Sequence, residues 1–159
     1  MTREPFKTHV EGTQKAFRRF LVALCCGDSS LADDIAQESY IKAYLSCDSF
    51  RNTDKFNAWI FRIGYTTFIN HKRSEKIFTD FSELNDTESQ DMTDSRFRYQ
   101  ELYSALNRLP GKERTSVLLF YMEGYSIKEI AEITGASADA VKQHLSRGRS
   151  HLRNLLSNT

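Results

Sequence analysis

The sequence predicts an all-α fold: two small helical domains joined by a flexible acidic linker, with a helix-turn-helix closing the second domain. Apolar residues recur at helical spacing along nearly the whole chain, only 2 of its 159 residues are proline, and no two segments have the pattern of a strand pair. The net charge is +3 on residues 1–76, −5 on residues 77–97 and +3 on residues 98–159. Helical periodicity is also lost in the acidic middle part. We therefore assign the three ranges to an amino-terminal domain, a linker and a carboxy-terminal domain.

Three helices are predicted in the amino-terminal domain. The first ends near Gly27, and the second opens after Ser29 and Ser30. The third runs from Lys55 to about Lys72, with Asp54 as its cap. On the second helix, the residues expected to pack inward are Leu31, Ile35, Tyr40, Ile41, Tyr44 and Leu45.

A helix-turn-helix is predicted for residues 126–153, where two short amphipathic helices flank a four-residue turn. Ser126 can cap the first helix while Glu129 reaches back to it, and Gly135 lies in the turn. Ser137 can cap the second helix. The apolar stripe expected to be buried on the second helix comprises Val141, Leu145, Gly148, Leu152, Leu155 and Leu156.

The opposite face of the second helix is polar and cationic. Its candidate DNA-binding residues are Lys142, Gln143, Ser146, Arg147 and Arg149. Amide and guanidinium groups can read base edges in the DNA major groove. An ordinary helical pair with a solvated basic face is the alternative. The turn, the caps and an acid-free run over residues 140–159 agree with one another and favour DNA binding.

Catalysis and metal binding have no candidate residues in this sequence. The cysteines, Cys25, Cys26 and Cys47, form neither a CxxC motif nor an even-numbered disulfide framework, and the four histidines are scattered. There is no glycine-rich phosphate loop and no GxSxG motif. We expect no enzyme activity, no cofactor and no metal. The charged amino terminus lacks the apolar core of a signal peptide, so we expect a cytoplasmic protein without membrane insertion.

Three segments resemble the extracytoplasmic-function (ECF) sigma factors of bacterial RNA polymerase. Residues 33–44, DDIAQESYIKAY, resemble the family's polymerase-binding helix, and residues 56–73, FNAWIFRIGYTTFINHKR, resemble its promoter-melting helix. Residues 106–156 are similar to its minus-35-binding domain. The resemblance implies a sigma factor that directs core RNA polymerase to specific promoter DNA and assists strand opening. It also implies a partner anti-sigma factor.

The resemblance extends to candidate site residues. Polymerase binding, to the clamp helices of the largest subunit, is implied for an acidic and amide face on the second helix: Asp33, Asp34, Gln37 and Glu38. Minus-10 binding, including a pocket for a flipped-out base, is implied for the exposed groups of the third helix and the segment before it: Arg51, Asn52, Arg62, Tyr65, Thr66, Asn70, Lys72 and Arg73. Binding of the upstream minus-35 element is implied for the outer face of the last helix. Trp59 and Phe68 are expected to be core instead of base-stacking residues.

The sequence departs from the family pattern at four positions. Thr66 stands where Asn is common, Asn70 where Asp is common, and His144 where Arg is frequent, so promoter preference cannot be carried over. Gly148 replaces a usual Ala, which should cost about 0.5–1 kcal/mol in mid-helix unless close packing requires glycine.

Two other functions fit parts of the chain. A stand-alone helix-turn-helix regulator would explain residues 98–159 and leave residues 33–73 as an unexplained helical pair. A helical adaptor that holds a partner protein and binds no DNA is disfavoured by the cationic outer face of the last helix.

Overall fold

A computed structural model describes residues 3–50, 55–79 and 94–157, with side chains described for residues 3–50, 55–74 and 100–157. The described residues are almost entirely helical, as predicted. The helices are α1 (Arg3–Leu24), α2 (Ser29–Ser46), α3 (Phe56–Thr79), α4 (Asp94–Arg108), α5 (Gly111–Val117), α6 (Ile127–Thr134) and α7 (Ala138–Ser157). A 3-10 turn, Cys47–Ser49, follows α2, and a π-helical turn, Leu118–Met122, follows α5. Within the described ranges, none of these helices combines the length and apolarity that crossing a membrane requires.

The first three helices enclose an aromatic core. Phe17 and Phe20 of α1 are fully buried, and their rings lie 5.4 and 5.1 Å from that of Phe61 on α3. Phe68 is buried, as predicted. Trp59 is only partly buried and stacks on Phe50, with ring centroids 4.3 Å apart. Aromatic packing of this kind fixes α3 against α1 and leaves the other side of α3 for a different contact.

Several element boundaries differ from the prediction. Asp28, not one of the two serines, caps α2, because its Oδ1 accepts a hydrogen bond of 3.0 Å from the Leu31 amide. Helix α3 runs on to Thr79, beyond the predicted end, and α4 already begins at Asp94. Both ends of the predicted linker are therefore helical, while residues 80–93 and the predicted cap Asp54 lie outside the described residues.

Three apolar residues of α2 that were predicted to pack inward are exposed instead. Ile41 is 61% exposed, Tyr44 38% and Leu45 77%. Helix α2 contacts α1 and α3 through a narrow side of small and branched residues, among them Ala32, Ile35, Ala36 and Ala43. At about 100° per residue, positions 41, 44 and 45 turn away from that side. The apolar character of a side chain therefore does not determine whether it faces the core or the solvent.

The carboxy-terminal half packs α5 against α7, with α6 alongside. The apolar stripe of α7 is confirmed at Val141, Leu145 and Gly148, which are buried, whereas Leu156 is 39% exposed because it lies near the helix end. Gly148 is a close-packing position: a Cβ atom there would lie 2.8 Å from Cγ2 of Val117. The approach of α5 to α7 therefore explains the glycine.

The two halves are packed against each other. Arg114 of α5, only 8% exposed, donates hydrogen bonds to the carbonyl oxygens of Leu106 and Leu109 at 2.8 and 3.1 Å, and to that of Leu24 at the end of α1 at 3.2 Å. Carbonyls at helix ends lack helical partners and carry partial negative charge, which compensates the buried guanidinium. The arrangement ties the last turn of α1 to the start of the carboxy-terminal half.

Candidate nucleic-acid interface

Local hydrogen bonds set the geometry of the helix-turn-helix. Ser126 Oγ accepts from the Glu129 amide at 3.2 Å, and the Glu129 carboxylate accepts from the Ser126 amide at 3.0 Å, which confirms the predicted capping box. Gly135 ends α6 in the left-handed region, with φ of 76°. Ser137 Oγ accepts from the Ala140 amide at 3.1 Å and so caps α7, as predicted.

The outer face of α7 is open to solvent. All five candidate upstream-binding residues are exposed: Lys142, Gln143, Ser146, Arg147 and Arg149. Gln143, Ser146 and Arg147 lie opposite the buried stripe of Val141 and Leu145, and Lys142 and Arg149 lie at its flanks. A rigid helix that presents amide and guanidinium groups on one side has the shape and chemistry that the major groove accepts.

Tyr121 is a contact that the sequence did not reveal. Its hydroxyl oxygen accepts a hydrogen bond of 2.9 Å from Nη1 of Arg149, and its side chain remains exposed. The bond uses one N–H donor of the Arg149 guanidinium, which carries several. Tyr121 precedes the helix-turn-helix by several residues, and no local pattern pairs it with α7.

His144 is half buried on the side of α7 that faces α5. Burial lowers the pKa of its imidazole, and the nearby positive charge of Lys112 lowers it further. The residue is thus biased towards the neutral form at neutral pH. A neutral imidazole in this position differs from an Arg side chain, so its departure from the family pattern changes both charge and reach.

On α3, the candidate residues divide into exposed and engaged groups. Thr66, Asn70, Lys72 and Arg73 are exposed, and Lys72 lies over the Phe68 ring with Nζ 5.7 Å from its centroid. The exposed positions follow one another along the helix and can be approached by a DNA strand. Two further candidates, Arg51 and Asn52, lie outside the described residues.

Arg62 and Tyr65, the other two candidates on α3, face the carboxy-terminal half. Nη1 of Arg62 donates a hydrogen bond of 3.1 Å to the backbone carbonyl of Glu132 on α6. Tyr65 is half buried, which raises the pKa of its phenol, and it lines a cleft together with Thr134 and His144 of the helix-turn-helix. The structure thus brings two candidate DNA residues into a contact between the halves.

The acidic face of α2 is partly engaged within the amino-terminal half. Asp33 pairs with Arg18 of α1 at 3.0 Å, and the Glu38 carboxylate lies 2.8 Å from Nε2 of His71 on α3. The hydrogen bond from His71, together with Lys42, holds the pKa of Glu38 below its usual range. The remaining two candidates, Asp34 and Gln37, are exposed on α2.

Comparisons with known proteins bear on both halves. A family model described as Sigma-70 region 2 matches residues 10–77, and one described as Sigma-70, region 4 matches residues 99–152. The ECF RNA polymerase sigma factor EcfG of Rhodopseudomonas palustris (strain TIE-1) is 30% identical over 144 residues, covering 89% of this chain and 79% of that protein. The ECF RNA polymerase sigma factor SigW of Bacillus subtilis (strain 168) is 32% identical over 146 residues, covering 82% of this chain and 78% of that protein.

The chain belongs to the ECF sigma factors. The resemblance carried by the three segments is thereby confirmed, and this sigma factor serves promoter-specific transcription initiation by RNA polymerase. A stand-alone helix-turn-helix regulator would leave the match to region 2 unexplained.

Two solved structures are similar to this one over both halves. The sigma factor RpoE of Bartonella quintana, solved in complex with the anti-sigma factor NepR, aligns with a TM-score of 0.82 and 25% identity over 98% of each chain. CnrH, solved in complex with the cytosolic domain of CnrY, aligns with a TM-score of 0.74 and 24% identity, covering 96% of this chain and 88% of that chain.

Proposed function

We propose that this sigma factor binds two promoter elements and core polymerase through separate helices. In this proposal residues 1–76 form the polymerase-binding and promoter-melting domain, residues 77–97 the linker, and residues 98–159 the upstream-binding domain. The chain catalyses no reaction itself, because RNA synthesis belongs to the polymerase, and it acts in the cytoplasm where polymerase is found. The exposed polar face of α7, opposite a buried stripe, is the observation that carries the proposal.

Upstream recognition is the role of α7. Gln143, Ser146 and Arg147 project furthest from the core and would contact base edges, whereas Lys142 and Arg149 lie at the flanks and would contact phosphates. The capping box, the left-handed glycine and the buried stripe hold the helix-turn-helix in one geometry. These side chains therefore keep fixed positions relative to one another. Such rigidity favours sequence readout over general attraction.

Strand opening is the role of α3. Its exposed polar groups, Thr66, Asn70, Lys72 and Arg73, can hold an unpaired strand, with Tyr65 beside them as a stacking group for a flipped base. Phe68 lies in the core and Trp59 stacks on Phe50, so neither ring is free to take that part without rearrangement. The minus-10 role therefore rests on polar residues and one tyrosine.

Polymerase docking is the role of the outward side of α2. Asp34 and Gln37 are exposed and unobstructed by α1 or α3, so they can meet a basic helical surface of the polymerase's largest subunit. Asp33 and Glu38 lie beside them, held by Arg18 and His71. Their internal pairs orient the carboxylates without removing them from solvent.

An anti-sigma factor is the third proposed partner. The alignment with RpoE, solved bound to the anti-sigma factor NepR, covers both halves at once and supports a similar placement of the halves here. A protein that holds this sigma factor in that placement would keep it from the promoter.

Run-off transcription with core polymerase tests the proposed function directly. A promoter library should yield transcripts that share an upstream and a downstream element only when this sigma factor is added. Replacing the library with promoters scrambled at either element is the matched control. Transcription that is equal on scrambled promoters would remove the promoter-specific role.

A further inference from the structure

A cluster of cationic groups lies beside the outer face of α7, where that helix meets the start of α5. Lys112 of α5 and Arg147 of α7 are exposed, and His144 is half buried. The positive charges of Lys112 and Arg147 both act on the His144 imidazole. Among the residues whose side chains the structure describes, neither cation has an ion-pair partner. The two charges are therefore available to an anion from outside.

The carboxylate nearest to this cluster is already engaged. The Glu113 side chain is only 8% exposed, and its Oε1 lies 2.6 Å from Nδ1 of His151. The negative charge of Glu113 raises the pKa of His144, but burial and Lys112 lower it more strongly. Positive potential therefore dominates around the His144 ring.

A cleft at the same place gives an anion access to the ring. His144 lines it together with Lys112 and Ser116 of α5 and with the uncharged residues 134–136 of the turn, and the Tyr65 phenol faces it from α3. The cleft has a volume of about 140 Å³, several times the share of one water molecule, about 30 Å³. An oxygen of a phosphate group can enter such a space.

We propose that Lys112 and His144 form a phosphate-binding site for the backbone of the upstream promoter element, in which His144 contributes a charge only when it is protonated. A helix in the major groove lies between two phosphate backbones, so groups at both of its flanks can meet phosphates. Lys142 and Arg149 lie at one flank of α7, and His144 lies at the other, beside α5. The proposal rests on the proposed function, because it needs α7 at the upstream element.

The site couples DNA binding to the uptake of a proton. Burial and Lys112 keep the pKa of His144 below its ordinary value in the free protein. A phosphate anion beside the ring raises that pKa in the complex. The complex then holds more protons than the free protein, so the affinity for the promoter rises as the pH falls through these pKa values. The rise should lie towards the acidic end of the range of about pH 5–8 in which histidine changes charge.

Holoenzyme binding to a promoter duplex, measured across that pH range, tests the site. Relative to His144→Gln, the parent should bind equally at about pH 8 and about two- to fivefold more tightly at the acidic end. There its salt dependence should be steeper by about 0.9 in slope, the contribution of one phosphate contact. His144→Arg should keep the tighter binding and the steeper slope at every pH. All proteins are assembled with the same core polymerase, so its own pH dependence cancels in the ratios.

Two further variants separate this site from other titrating groups. His151→Gln is the matched control, since it removes a histidine from the same helix while its amide can still donate to Glu113, and it should keep the pH dependence of the parent. Lys112→Gln removes a phosphate contact and should weaken binding at every pH. By raising the pKa of His144, it should also move the rise in affinity to higher pH.

Promoters that carry one uncharged methylphosphonate, placed in turn along the upstream element, locate the phosphate. At one position the difference between the parent and His144→Gln should disappear. Identical pH profiles for the parent, His144→Gln and His144→Arg would overturn the proposal, as would a difference that persists at every methylphosphonate position. If His144→Gln fails to fold, the comparison of the parent with His144→Arg decides alone. Failure of the proposed function looks different, because the parent holoenzyme would then show no preference over a scrambled upstream element at any pH.

Discussion

Replacing Gly148 by alanine should destabilise the protein, although alanine is the better helix former. A Cβ at this position would lie 2.8 Å from Cγ2 of Val117 and 3.5 Å from the Cβ of Glu113. Val117 is a β-branched residue in α5, so its side chain has little freedom to turn away from the new methyl group. The clash must be relieved by moving α5 away from α7.

The expected magnitude is the difference of two terms. Inserting a methyl group into a packed contact costs about 1–3 kcal/mol. Replacing glycine in a helix interior recovers about 0.5–1 kcal/mol. The net loss in the free energy of unfolding is therefore up to about 2.5 kcal/mol, which lowers Tm by up to about 10 °C for a chain of this size.

Thermal unfolding followed by circular dichroism measures the effect, with Gly12→Ala as the control. Gly12 lies in α1 with nothing within 4 Å of a built Cβ, so alanine there should stabilise by about 0.5–1 kcal/mol. Val117→Ala should destabilise the Gly148→Ala protein less than it destabilises the parent, and this coupling energy should be about 1 kcal/mol. A Gly148→Ala protein that is stabilised as much as Gly12→Ala would refute the close-packing explanation.

Three further predictions concern the proposed surfaces. Arg147→Ala, if the side chain reads a guanine edge, should weaken binding to the preferred promoter by about 1–3 kcal/mol and relax discrimination at one base. Arg149→Ala should instead weaken binding to all sequences alike and lower the slope of its salt dependence by about one unit. Identical single-base substitution profiles for Arg147→Ala and the parent would show that Arg147 is not a specificity residue. Tyr121→Phe removes the hydroxyl that holds Arg149, and it should weaken binding of every sequence without changing base preference, an effect that should vanish in an Arg149→Ala background. Asp34→Lys should weaken binding to core polymerase while the helical circular dichroism signal stays unchanged. Its effect should exceed that of Glu38→Lys, because Glu38 is already paired within the amino-terminal half. Equal affinity of Asp34→Lys and the parent would take Asp34 out of the interface.

The helix-turn-helix was predictable because its determinants are local. The Ser126 and Glu129 capping box, the left-handed Gly135 and the Ser137 cap all act through backbone groups within four residues of themselves. Such contacts depend on spacing along the chain, which one sequence displays in full. The same holds for the stripe of α7 around Leu145, since burial and exposure alternate with the helical period.

Side-chain environments on α2 were not predictable to the same degree. Ile41 and Leu45 have an apolar character that suggests burial, yet they are exposed, because α2 packs through a side too narrow to include them. Glu38 has the same acidic character as its neighbours but is held by His71, which lies 33 residues away in the sequence. Which neighbour a helix face meets is a property of the packed assembly.

The sequence by itself determined the helical class, the helix-turn-helix and the family, since these follow from periodicity, capping residues and recognisable segments. Only the tertiary structure decided that Arg62 faces α6, that Arg19 meets Glu123 across 104 residues and that Arg114 reaches the end of α1 across 90. These contacts depend on how the two halves are placed, and no pattern within either half encodes the partner in the other. The reason is physical: a local hydrogen bond needs only the chain geometry, whereas a distant pair forms once the apolar cores have fixed both helices in space.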